Sequence, residues 1–264
     1  MQKCLYACAL VLLGCGGDDQ ASPPDATIAI DAAPDAFVTP FTLSGTVGEP
    51  AGSGSGSGVA IADASICMTG LAHTPCTTSA NDGSYTFDVT PSLANVTQVT
   101  TATGHLSSVF LAGWTSTEGL WVSDIVLLPN DAATTLLHTH AGFTFPTTTT
   151  GFVEVFVGTG TPSAGAVGAT ASLAGGSAPV YLDANGVPDP ALTAVTSSGL
   201  VLLGNLAPAT YQLTVTAPGK TCIANSGGHA LPTTQGFFAP TGTATAGVAV
   251  IAGALTSSVN VSCN

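Results

Sequence analysis

SGLVLLGNLAPATYQLTVTAPGKTC, residues 198–222, is the stretch on which the fold turns. ATYQLTVTAPGKTC (209–222) reads as one strand, bounded by Pro and Gly. SGLVLLGNL (198–206) reads as a second strand, and the break between the two carries Asn205 and Pro208, residue types that end strands and build turns.

The same reading extends in both directions. Toward the N-terminus, FTLSGTV (41–47), GVAIADASICM (58–68), GSYTFDV (83–89), VTQVTTAT (96–103), HLSSVFLAGW (105–114) and GLWVSDIVLL (119–128) are β-branched or alternating segments bounded by Gly, Asn, Asp or Pro. GSGSGSG (52–58) reads as a flexible loop; no lysine follows it and no helical pattern opens after it, as a phosphate-binding loop requires. One segment breaks the series. Asp131 stands as an N-cap before AATTLLHTHAG and Gly142 as its stop, which predicts a short helix. Beyond TTTT (147–150) come GFVEVFVG (151–158), AVGATASL (166–173), APVYLDANG (178–186), ATYQLTVTAPGKTC (209–222) and closing strands over 247–251 and 255–262. The expected fold class is all-β: two tandem β-sandwiches of transthyretin-like or immunoglobulin-like form, over 41–128 and 150–264, with a connector over 129–149 that holds the one short helix.

NDGSYTF (81–87) and SGLVLLGNLAPATYQLTVTAPGK (198–220) resemble the carboxypeptidase regulatory-like domain, a transthyretin-like β-sandwich. The second stretch is the better fit, with Asn205, Leu206, Pro208, Tyr211 and Gly219 in the family's order; Ala209 stands where the family has Gly, and His105 follows Gly104 where Tyr is commoner. The resemblance spans about 41–128 and 150–263. It implies a module without catalytic residues of its own, so any chemistry must be visible independently.

The N-terminus predicts export. Lys3, an apolar run from Leu5 to Leu13, and Gly14 before Cys15 form a signal peptide over 1–14, too short to span a bilayer. Leu12, Leu13, Gly14 and Cys15 resemble the bacterial lipobox, which implies cleavage before Cys15 and acylation of that residue. Residues 15–40 then form a disordered tether: from 16 to 40 they hold five aspartates, four prolines and no aromatic residue before Phe37, a composition that cannot bury enough apolar surface to order itself. Gly16, rather than Asp, follows the cysteine, which implies an outer-membrane lipoprotein, periplasmic or surface-facing, with the membrane as a partner through its lipid anchor.

Charge narrows the partners further. The 264 residues carry 2 Lys plus Arg against 15 Asp plus Glu, a net charge of −13, and none of the basic residues is arginine. Nucleic acid is excluded, since phosphate neutralisation needs several cations. Setting aside Cys4 and Cys8 in the signal and Cys15 as acyl site leaves Cys67, Cys76, Cys222 and Cys263. In an oxidising compartment these predict two disulfides of three connectivities, and sequence proximity favours Cys67 with Cys76 and Cys222 with Cys263. Zinc is the competing reading, but the CxxC spacing is absent.

Candidate sites are few. No GxSxG or HExxH occurs. His138 and His140 form an HxH pair that shares a face on a strand and diverges on a helix, either a metal site or two ordinary polar contacts. His73, His105 and His229 are isolated. In DANGVPD (183–189), Asp183, Asn185 and Asp189 can offer oxygens to calcium, but the bidentate glutamate of a calcium loop is missing and the residues equally suit a turn. Trp114 and Trp121 flank a short turn and read either as a sugar-stacking pair or as core. The expected function is a non-catalytic envelope lipoprotein, without cofactor, that binds or scaffolds a protein or glycan partner; the alternative is a carbohydrate-binding module using Trp114 and Trp121.

Overall fold

The computed structural model describes residues 41–51, 54–69, 76–89, 96–112, 121–122, 124–159, 164–226, 229–230 and 243–264. The expected signal peptide, Cys15 and the expected tether lie outside them. The fold is all-β, with a single helix, Ala132–His140, among the described residues.

The strands form three sheets. In the first, the opening strand Phe41–Ala51 runs antiparallel to Gly54–Ala60 and to Ser84–Val89. The second is the backbone of the molecule and runs through both halves of the chain in the order Pro188–Asp189, Val180–Leu182, Leu200–Leu206, Gly151–Gly158, Ala254–Cys263, Ser107–Ala112, Val96–Thr101, Ser65–Thr69 and Cys76–Thr78. The third holds Thr170–Leu173, Ala209–Thr216 and Thr243–Val250.

The closing strand, Ala254–Cys263, joins the halves. One edge pairs in parallel with Gly151–Gly158. The other changes partner along its length: Ala254 to Ser257 pair with Ser107 to Phe110, and Val259 to Cys263 with Cys222 to Ser226. Ten residues at the chain's end therefore complete both sandwiches.

Each half keeps its own core. Leu43, Val47, Ile66, Met68, Tyr85, Ile125 and Leu127 pack between the first sheet and the near end of the second. Val153, Val155, Val157, Val201, Leu203, Leu213, Val215, Val248 and Val261 pack between the far end of the second sheet and the third. Leu202, Phe152, Val180 and Leu182 lie on the opposite face of that far end and pack with Phe143, Leu137 and Phe145 from the helix and the segment after it. Leu200–Leu206 is consequently buried on both faces, which is why it reads as a continuous apolar run rather than an alternation.

The helix forms as its caps predict. Asp131 accepts from the Thr134 amide at 2.8 Å, and Gly142 takes φ +76°, the left-handed conformation that ends a helix cheaply only at glycine. Both disulfides close across directly paired residues, Cys67 with Cys76 and Cys222 with Cys263.

Several segments differ from the sequence reading. From Gly54 onward the Gly/Ser stretch is strand, because the opening strand extends to Ala51 and offers it a ladder. The 58–68 segment is two strands, Gly54–Ala60 and Ser65–Thr69, broken where Asp63 adopts φ +55° and donates its amide to the Ser79 carbonyl. Within the 119–128 segment the described strands are Trp121–Val122 and Ile125–Val126, both parallel to the opening strand. Between them the Asp124 carboxylate takes the Thr46 amide, at 3.3 Å, and its hydroxyl, at 2.8 Å, where a continuous ladder would use a carbonyl. The 209–222 segment ends at Thr216, since Ala217 to Lys220 form a turn, and Cys222–Ser226 begins a separate strand.

Candidate functional site

The covering of the second sheet changes along one face. Over its near end lies the first sheet; over its far end lies the helix with residues 141–145. Alternation along Gly151–Gly158 sends Val153, Val155 and Val157 into the second core and leaves Phe152, Glu154 and Phe156 on the opposite face. Only Phe152 of these three belongs to the cluster beneath the helix. Where the cover passes from one layer to the other there is a cavity of about 330 Å³. Glu154 and Phe156 line it from one strand, Leu255, Ser257 and Asn260 from the closing strand, Thr100, Ser108 and Phe110 from the next two, and residues of the 124–128 stretch from the first sheet.

Glu154 is the unusual member. Among the described residues its carboxyl has no hydrogen-bond or ion-pair partner, and burial pushes its pKa above the ordinary carboxyl range. Ser108 and Ser257 share a hydroxyl contact of 3.2 Å. Asp124, also lining the cavity, is the carboxylate held by Thr46. The sequence gives one clue to Glu154, a lone acidic residue inside an otherwise apolar run, GFVEVFVG. Nothing in the sequence predicts the neighbours that make it a cavity wall, because they come from separate stretches of chain, 100–128 and 255–260, that only the sheet brings together.

The histidine pair does not converge. On the helix His138 is 2 % exposed, its Nδ1 lies 2.8 Å from the Thr134 carbonyl, and its ring stacks on Phe145 at 4.6 Å and meets Phe152 edge-on at 4.5 Å. Desolvation lowers its pKa, more than the Thr134 contact raises it, so the neutral ring is a core side chain. His140 is exposed. His105, isolated in the sequence, is partnered in the fold: Nε2 lies 3.1 Å from Glu49 and Nδ1 lies 3.0 Å from the Thr103 carbonyl.

DANGVPD is a turn. The Asp183 carboxylate accepts from the amides of Asn185 at 2.8 Å and Val187 at 2.9 Å, and these contacts, the Val187 amide foremost, hold its pKa below the usual value. Asp189 accepts from the amide of Ala191 at 2.9 Å instead of turning to Asp183. Among the described residues no group of three His, Cys, Asp or Glu side chains is placed to hold a metal ion. Trp114, His73 and the Trp121 side chain lie outside what is described.

No protein-family model matches the chain, and no curated protein does. Among solved structures it is similar to the Bacillus anthracis TIE protein, at 10% identity and TM-score 0.27, covering 85% of this chain and 34% of that one. It is also similar to the minor pilin of Streptococcus agalactiae, at 14% identity and TM-score 0.24, over 84% of this chain and 95% of the pilin. A streptococcal ancillary pilin matches at 10% identity and TM-score 0.24, over 84% of this chain and 62% of its own length. Likeness at this level carries no argument about what the chain does.

Proposed function

We propose that the chain is a non-catalytic binding or scaffolding module of the cell envelope, anchored at the outer membrane through acyl chains on Cys15 and carried on the acidic tether. The observation that supports it is mechanical. Both sandwiches are knitted into one sheet by the closing strand, and each carries a disulfide across paired strands, so a force or a partner applied to one half is borne by the other. The titratable groups that the sequence offers for chemistry are used in holding the fold: His138 as a core ring, Asp131 as a helix cap, Asp183 as a turn. The carboxypeptidase regulatory-like resemblance belongs to the same reading, since that module carries no catalytic residues of its own.

The anchor is tested with labelled fatty acid in cells that express the full chain. Label should enter the wild type and not Cys15→Ser, which should leave the membrane fraction. Absence of label, or equal labelling of both, overturns the lipoprotein reading. Absence of catalysis is tested on peptide, ester and glycoside panels, where turnover that survives repurification and disappears on changing His138 or His140 would overturn it.

A further inference from the structure

We infer that the cavity over Glu154 is a binding site for an organic cation, an alkylammonium group with an apolar body. The inference rests on the binding-module reading and names the chemistry of its ligand. Three features of the walls select that class.

The first is an unpartnered carboxyl. Glu154 sits on a strand whose neighbours are apolar, its carboxyl has no partner among the described residues, and Asp124 brings a second carboxylate to the same cavity. Among the described residues no Lys or His lines the cavity to answer them: the only lysine beyond residue 3 is Lys220, in the turn between Ala217 and Cys222. An external ammonium supplies the missing counter-charge, and in a partly desolvated site that attraction exceeds its value at a surface.

The second is the rest of the lining. Phe110 and Phe156 place two aromatic rings in the walls, with Leu255 and Ile125 beside them. Aromatic faces attract organic cations, and aliphatic walls suit an alkyl body. A hard divalent ion is the wrong occupant, because calcium takes six to eight oxygens and no group of three ligating side chains is assembled among the described residues. Ser108 and Ser257 add hydroxyl acceptors for ammonium hydrogens.

The third is size and field. At about 330 Å³ the cavity reaches the lower end of small-molecule sites and holds a short amine with room for water. A net charge of −13 raises the local concentration of cations and repels anions of the same shape.

The ammonium can come from a free amine or from a lysine side chain of a partner, and the two sources are separable. Full-length protein carrying Cys15→Ser, which cannot be acylated, is titrated calorimetrically at pH 7.5 with n-butylammonium, 1-butanol, butyrate, calcium chloride, and a tripeptide with a central lysine and blocked ends. Saturable binding of n-butylammonium is expected, at least tenfold tighter than the alcohol, with none for butyrate. Binding of the tripeptide at comparable strength assigns the site to a partner's lysine; binding of the free amine alone assigns it to a small molecule. Glu154→Gln should weaken the amine at least tenfold, and Ser257→Leu, which fills the cavity but keeps both carboxyls, should abolish it. Equal binding of alcohol and amine, tighter binding of calcium, no saturable binding, or an unchanged affinity in Glu154→Gln would each overturn the assignment. None of these results touches the anchor or the absence of turnover, so the wider reading stands or falls separately.

Discussion

Gly204 lies in the doubly buried strand Leu200–Leu206, with the Phe143 ring laid against its backbone. A Cβ added there would meet Phe143 Cδ2 and Cγ at 2.4 Å and Cδ1 at 2.8 Å. Carbon atoms rest at about 3.5–4.0 Å, so the ring would have to withdraw by about 1 Å or more. It has little freedom to do so. The Phe143 amide donates to the His138 carbonyl at 2.9 Å, the Thr144 amide donates to the Asn205 side chain at 3.0 Å, and Phe152 stands 6.1 Å away, centroid to centroid. Overpacking of this kind costs about 1–3 kcal/mol. Against it stands the gain of about 0.5–1 kcal/mol that alanine ordinarily brings over glycine within a strand. Gly204→Ala should therefore destabilise by about 1–2 kcal/mol, equivalent at about 2–4 °C per kcal/mol to a fall in Tm of several degrees. Urea unfolding followed by far-ultraviolet circular dichroism measures it, and the sign is the discriminating quantity. In a Phe143→Ala background the same change should be neutral or stabilising, because the ring is gone. A Gly204→Ala variant as stable as the wild type, or more so, refutes the close packing of ring on backbone.

Three further outcomes are expected. Replacing Cys222 and Cys263 together by serine opens a loop of sequence separation 41 and should cost up to about 4 kcal/mol by loop-closure entropy, read as a lower urea midpoint. His138 has a folded-state pKa depressed by burial, so the unfolded chain takes up the proton first; its contribution to stability is complete above about pH 6.5 and is lost as pH falls through the folded value, and the slope of stability against pH in that window should flatten in His138→Phe. Glu154 has the opposite sign: its raised folded-state pKa makes the native chain hold the proton longer, so stability falls as pH rises from about 4.5 through the folded value, and Glu154→Gln should be more stable than the wild type at pH 7, measured by the same denaturation.

How far the sequence discloses this fold depends on the range of the interaction. The helix is legible because its determinants are local: Asp131 and Gly142 lie at its two ends and act within one turn. Gly151–Gly158 is legible from its β-branched alternation, and the disulfides because proximity selects the pairing that the sheet also permits. The split of 119–128 is not legible, since it depends on Thr46, more than seventy residues away, meeting Asp124. Nor is the shared sheet. Two tandem sandwiches predict two separate sets of strand pairs, and the partner change at Ser257 within the closing strand leaves no mark in ALTSSVNVSC that alternation can reveal. His138 illustrates the same limit at the level of a site: spacing separates it from His140 on a helix, but only the fold supplies the Phe145 and Phe152 rings that make it part of a core.

Glu154 and the shared sheet are connected. A sandwich closed on itself covers its sheet with one layer, and a carboxyl in the middle of a covered strand would be replaced by valine at a gain in stability. Here the sheet continues beneath two different covers, and the cavity between them falls where Gly151–Gly158, the closing strand and Ser107–Ala112 lie side by side. The closing strand is thus both the element that joins the halves and one wall of the cavity, through Leu255, Ser257 and Asn260. Occupancy by a cation would neutralise the desolvated carboxyl and favour the arrangement in which those strands remain paired, so ligand affinity and the mechanical unity of the two halves draw on the same contacts. A site placed at that junction stabilises the whole body, whereas the same residues on either outer sheet would stabilise one half.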